Sequence, residues 1–126
     1  MSSNLDTEAS NVVALKAYRR LVLEWGLTED EAASLAGFAS DRWRMFEGEG
    51  GRIELSDDQM HRLSAVLGIY HALEVYFGEP LSKTWFTLPN AGPMFGGARP
   101  SEIATRGGLS SLLAIRANLE ALLQGA

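Results

Sequence analysis

A chain of 126 residues that is 46% hydrophobic and 21% charged is long enough for one cored domain and too mixed for a fibrous or disordered protein. Its formal charge of −5 opposes polyanions over the molecule as a whole, and without cysteine it has no disulfide, thiol nucleophile or thiolate metal site. No apolar run approaches the roughly 18 residues of a bilayer span, and "MSSNLDTEAS" has no leader character, so a soluble cytoplasmic protein with no membrane contact is expected.

From Val12 to Trp25, the residues Leu15, Tyr18, Val22 and Trp25 recur at steps of three and four, the spacing of one helix face, and Gly26 supplies a stop. Thr28 stands three residues before Glu31, so hydroxyl and carboxylate can each satisfy a free helix-end amide, which predicts a second helix ending at Gly37. Ser40 is expected to cap a third, "DRWRMFE", closed by the Gly48 to Gly51 cluster. Ser56 and Gln59 repeat the capping pattern, and Asp57 and Asp58 suit the positive end of a helix, so a long fourth helix starts there. Along it Met60, Leu63, Leu67, Tyr70 and Phe77 form one stripe and Val66, Ile69, Leu73 and Tyr76 a second, which predicts a central helix covered on most sides. Gly68 in its middle costs about 1 kcal/mol against alanine and is expected to admit another backbone.

Beyond Gly78 and Pro80 a short helical turn is expected from Leu81 to Phe86. The stretch "TWFTLPNAGPMFGGARP" then denies the backbone regular structure, since Pro89, Pro93 and Pro100 lack amide donors while Gly92, Gly96 and Gly97 allow positive φ. Pro100 suits the first position of a helix "PSEIATR" that Gly107 and Gly108 stop, and a last helix from about Leu109 to Gln124 turns Leu112, Ile115, Leu119 and Leu122 inward. No alternating stretch argues for a strand. The expected fold is all-α, with a helix-turn-helix-like lobe over residues 1–54 packed against a multi-helix lobe over 55–126.

Within "TEDEAASLAGFASDRWRMF", residues 28–46, Ala33 is small where two helices would cross and Gly37 allows the bend. Trp43 and Phe46 would pack back onto Ala32, Ala36 and Phe38. The stretch resembles an Xre-like helix-turn-helix, which implies that Ser40, Asp41, Arg42, Arg44 and Met45 face a major groove, with Ser40, Arg42 and Arg44 the candidate DNA contacts. Plain packing of a helical corner explains the same residues, and charge argues against DNA, because seven acidic residues face three arginines between Leu27 and Leu55.

Leu63, Leu67, Gly68, Ile69 and Leu73 are followed by Trp85, by Pro89 and Asn90, by Phe95 to Gly97, by Pro100 and by the Gly107 and Gly108 break. On these residues the segment 55–126 resembles the toxin-binding domain of Xre/MbcA/ParS-type antitoxins, a family in which an Xre-like lobe precedes that domain. The resemblance implies an antitoxin that covers the active site of a cognate RES-domain toxin, one that consumes NAD or transfers ADP-ribose. A homodimer that assembles with the toxin and autoregulation through operator DNA belong to the same expectation, while the absence of catalytic and metal-ligand motifs in the residues predicts no cofactor and no enzymatic activity. Two rival readings stand beside the antitoxin one: a helix-turn-helix transcriptional regulator whose second lobe only dimerises, and a small-molecule-binding or enzymatic helical domain that uses the glycine-rich corner.

On the antitoxin reading, Trp85, Phe86 and Phe95 sit on a proline-stiffened loop and dock as aromatic anchors, while Asn90 fixes the turn after Pro89. Trp85 and Phe95 also suit a core role, plugging the gap between the long helix and the last one. Arg99 in the "GGARP" corner and the polar residues Arg116, Asn118, Glu120 and Gln124 of the last helix are the other candidate toxin contacts, with solvated surface as the competing explanation.

Catalytic signals are missing. His61 and His71 lie about 1000° apart along one helix and so on different faces, and no His-x-x-x-His pair offers a metal site. "GPMFGG" lacks the lysine and serine of a phosphate-binding loop, and no histidine is placed to activate Ser64, Ser101, Ser110 or Ser111. A binding module is expected.

Overall fold

The computed structural model describes residues 3–45 and 54–125, and among these every regular element is helical. In order they are α1 (Ser3–Trp25), α2 (Glu29–Ala36), α3 (Ser40–Met45), α4 (Asp57–Tyr76), α5 (Leu81–Thr84) and α6 (Pro100–Leu123), with a 3-10 turn at Trp85–Thr87 after α5. Phe46, the Gly48 to Gly51 cluster and Arg52 lie outside the described residues. α1 starts at Ser3 rather than Val12, because "SNLDTEASN" contains no Gly or Pro to stop a helix although it is too polar to show a buried stripe.

Local chemistry sets most of the helix borders. Thr28 Oγ1 accepts from the Glu31 amide at 3.1 Å, and Glu31 Oε1 accepts in return from the Thr28 amide at 2.9 Å. Ser56 and Gln59 repeat the exchange at the start of α4. Gly37 ends α2 with φ 81, a left-handed conformation that a side chain resists. Ser40, however, is not a cap. It is already helical, Ala39 supplies the carbonyl that takes the Trp43 amide at 2.9 Å, and the Ser40 hydroxyl donates to Asp30 at 2.9 Å.

A single core draws on both sides of residue 54. Tyr18, Leu21 and Trp25 from α1, Ala32, Leu35 and Ala36 from α2, and Trp43 from α3 join Leu63, Val66, Ile69 and Leu73 of α4 and Leu112, Ile115 and Leu119 of α6. α4 is its axis, packed chiefly on α6 and also touching α1, α2 and α5. Trp43 closes the α2–α3 corner, edge-on to Tyr18 at 5.5 Å and tilted against Phe38 at 5.9 Å, with the Arg19 guanidinium 5.8 Å over its ring. The buried Tyr18 hydroxyl donates to the Ala32 carbonyl at 2.6 Å, so it is satisfied without water, and burial holds this phenol well above its ordinary pKa. Tyr76 departs from the expected inward stripe. It is 44% exposed, because the last turn of α4 extends past the elements that bury Leu63 to Leu73.

A second aromatic group ties α1 to α4 and to the turn after α5. Trp25 stacks on Phe86 at 4.6 Å and tilts against Tyr70 at 5.9 Å. The Tyr70 hydroxyl donates to Glu24 Oε2 at 2.8 Å, and Lys83 approaches Glu24 at 3.5 Å and Glu79 at 2.6 Å. The bond to the Glu24 carboxylate, with a smaller contribution from burial, pushes the Tyr70 phenol up to about 12. A raised folded-state pKa means that this contribution to stability is complete below the unfolded value of about 10 and is lost as pH rises through about 12. Urea midpoints should therefore fall across that window, and Tyr70→Phe should flatten the fall. Superimposable profiles for the two proteins would show that the bond contributes nothing.

Candidate partner-binding face

Between the 3-10 turn and α6 the chain has no repeat, and one asparagine organises it. The Asn90 amide donates to the Ala98 carbonyl at 3.0 Å, its carbonyl accepts from the Gly97 amide at 2.8 Å, and its Oδ1 accepts from the Gly92 amide at 2.8 Å. Gly96 and Gly97, with φ 56 and 93, supply the left-handed corner between those bonds. The turn-fixing role expected of Asn90 is the one it has.

The three rings of this segment differ in accessibility. Phe86 is fully buried under Trp25 and is not available as an anchor, which corrects its assignment from sequence. Phe95 is 6% exposed and meets Trp85 edge-on at 5.6 Å. Trp85 is half-buried, with Phe77 stacked near it at 6.5 Å. What stays open is a groove of about 380 Å³ whose walls include Trp85, Asn90, Met94, Phe95, Asn118 and Leu122. Met94 was not singled out from sequence, because an isolated methionine in an aperiodic loop carries no pattern.

The polar residues of α6 do not form one contact face. Asn118 follows Arg116 by two positions, about 200° around the helix, so the two lie on opposite sides. Asn118 joins the groove, whereas Arg116 lies across Gly68 of α4, where an added Cβ would meet its Cδ at 2.6 Å. Gly68 thus makes room for a side chain and not for a backbone. Arg116 Nε also faces Glu120 at 3.5 Å. Gln124 is exposed at the C-terminal cap of α6. Arg99 sits at the other end, exposed, its guanidinium 3.6 Å from the Glu102 oxygen that accepts from its amide at 3.0 Å. Trp85, Asn90, Phe95 and Asn118 therefore come together, and Arg99, Arg116, Glu120 and Gln124 stand apart from them.

The Gly68 contact has a measurable consequence. Alanine for glycine inside a helix normally adds about 1 kcal/mol, but here the new methyl collides with Arg116. Gly68→Ala is expected to leave stability nearly unchanged in the parent chain and to raise it by about 1 kcal/mol when Arg116 is already alanine. Equal gains in both backgrounds, measured by urea denaturation, would contradict this placement of Arg116.

Arg62 is the structural residue that sequence reasoning missed. At Gly108, φ 67 and ψ −147 break the helical path of α6 where the glycine pair was expected to end one helix and open the next. An added Cβ on Gly108 would lie 3.2 Å from Arg62 Nη2, and one on Gly37 would lie 3.2 Å from Arg62 Cδ. Arg62 Nε donates to Asp58 at 2.7 Å, while Gln59 Nε2 donates to the Gly37 carbonyl at 3.1 Å. The first turns of α4 thus hold the end of α2 and the kink of α6 together, and a guanidinium suits such carbonyl-rich helix ends.

The candidate DNA contacts sit in mixed charge. Ser40 is bonded to Asp30, Arg42 and Arg44 are exposed, and the Arg42 amide donates to Asp41 Oδ1 at 2.9 Å. His61 and His71 are exposed on α4, and no group of three or more His, Asp or Glu among the described residues is placed to hold a metal ion. No helix among the described residues is long and apolar enough to cross a membrane. No family model matches the sequence, and no curated protein or solved structure matches it either.

Proposed function

We propose that this chain is an antitoxin that neutralises a cognate RES-domain toxin by covering its active site with the 88–99 loop and the C-terminal half of α6. The observation that carries the proposal is the groove between Trp85, Asn90, Phe95 and Asn118, which is formed before any partner arrives and is braced by the three hydrogen bonds of Asn90. A surface rigid before docking loses little entropy on binding, and a partly accessible tryptophan is the kind of side chain that dominates interface energies. The likeness of residues 55–126 to antitoxin toxin-binding domains supplies the partner class. A homodimer that assembles with toxin, and autoregulation through the α2–α3 corner, belong to the same proposal.

Co-expression with the protein encoded beside it tests this reading. The expected result is rescue of growth and co-purification of the two chains, with Asn118→Ala weakening association by about tenfold at unchanged melting temperature. Failure to recover any co-encoded poison by pulldown from the native host would remove the proposal.

One observation favours the regulator reading. Arg19 over Trp43 brings a basic stretch of α1, with Lys16 and Arg20 exposed beside it, to the α2–α3 corner. Mobility shifts with the chain's own promoter region at two salt concentrations separate the readings, since tight and steeply salt-dependent binding by the chain alone favours regulation.

A further inference from the structure

We propose that the groove receives a single uncharged, apolar side chain from an extended segment of a protein partner, with the Asn90 and Asn118 carboxamides binding the main chain beside it. The identity of the partner rests on the antitoxin reading, but the binding chemistry does not.

Size is the first argument. A groove of about 380 Å³ lies at the small end of ligand sites, which run from about 300 to 1,000 Å³, and suits one large side chain with its flanking peptide groups. A helix seated there would have its peptide groups already paired along its own axis and could not use the two carboxamides beside the groove.

Charge is the second. None of the residues that line the groove is ionisable. Arg99 and Arg116 stand apart from the groove and already face acids, Glu102 and Glu120. A charged side chain entering the groove would lose water and meet no counter-charge, whereas an aliphatic one meets Trp85, Phe95, Leu122 and the pliable, 40% exposed Met94.

Hydrogen bonding is the third. Asn90 uses Oδ1 on the Gly92 amide, and its Nδ2 has no hydrogen bond among the described residues. Asn118 is exposed, and its carboxamide likewise makes none among them. Both offer a peptide group the donors and acceptors it needs in an apolar setting. A flat heterocycle would want a parallel slot instead, but Phe95 stands at 85° to Trp85, and Phe77 is stacked near Trp85 at 29°.

The test is titration of the isotope-labelled full chain, followed by amide and side-chain NMR, with short capped Ser/Gly peptides carrying a central Leu, Lys or Asp, and with adenosine. The Leu peptide is expected to shift the Trp85 indole and the Asn90 and Asn118 carboxamide signals at millimolar concentration, with the Lys and Asp peptides weaker by about tenfold. Met94→Lys, at an exposed position, should keep the melting temperature and reduce the preference for Leu over Asp by about tenfold. Equal response to all peptides, tighter binding of adenosine at the same signals, or no localised shift with the Leu peptide each overturns the proposal. Because the chain is tested alone, a localised Leu-peptide response without any toxin association would overturn the antitoxin reading only, and the reverse outcome would overturn this inference only.

Discussion

Phe86→Ala is expected to lower stability by about 3–5 kcal/mol, a large share of what a domain of this size has. The ring is fully buried and stacks on Trp25, which in turn leans on Tyr70, so it joins α1, α4 and the turn after α5 at one point. Truncation removes the transfer energy of the ring and leaves a hole between helices that cannot close independently. The melting temperature should fall by roughly 10–20 °C. Trp85→Ala is the control. This neighbouring ring is half-buried at the groove, so its loss should cost only about 1–2 kcal/mol. A smaller effect at Phe86 than at Trp85 would mean that the two rings have exchanged roles.

Gly108→Ala should cost about 3 kcal/mol, for two reasons that act together. Its φ of 67 with ψ of −147 falls where a side chain is resisted by its own backbone, and the added methyl would also sit 3.2 Å from Arg62 Nη2. Gly96, with φ 56 and nothing within 4 Å of an added Cβ, should lose only about 1 kcal/mol on the same change. Denaturant titration of the two variants measures the difference. Because the kink directs the half of α6 that carries Asn118 and Leu122, Gly108→Ala should also weaken partner binding. An equal cost at the two glycines would contradict the strained kink and the place given to Arg62.

These contrasts show which parts of the molecule could be read from its residues. Thr28 with Glu31, Ser56 with Gln59, Gly37 and Pro100 act within one helical turn, so their spacing in sequence is their spacing in space. Asn90 was legible for the same reason, since its side-chain bond reaches only two residues ahead. The buried faces of α4 and α6 were legible through Leu63, Ile69, Leu73, Leu112, Ile115 and Leu119, where periodicity states which side is inward.

Contacts made after the helices assemble were not legible. Arg62 meets Gly37 and Gly108 across the fold, and Arg116 fills the notch at Gly68, although nothing in the order of residues separates a glycine that admits a backbone from one that admits an arginine. Phe86 and Trp85 are neighbours in a stretch without a period, and the 3-10 turn decides which of them faces the core. Grouping Arg116 with Asn118 was a different kind of error, because helical rotation alone places two residues so spaced on opposite sides. The start of α1 and the outward turn of Tyr76 were not legible, since residues 3–11 carry no apolar period and Tyr76 shares the spacing of the buried stripe.

Hydrogen exchange of the full chain, alone and mixed with a candidate RES-domain toxin, bears most directly on the proposal that the loop and the end of α6 form the covering face. New protection is predicted in residues 88–99 and 115–123, with α2 and α3 unchanged. Protection confined to α2 and α3, or no complex at all, would contradict it.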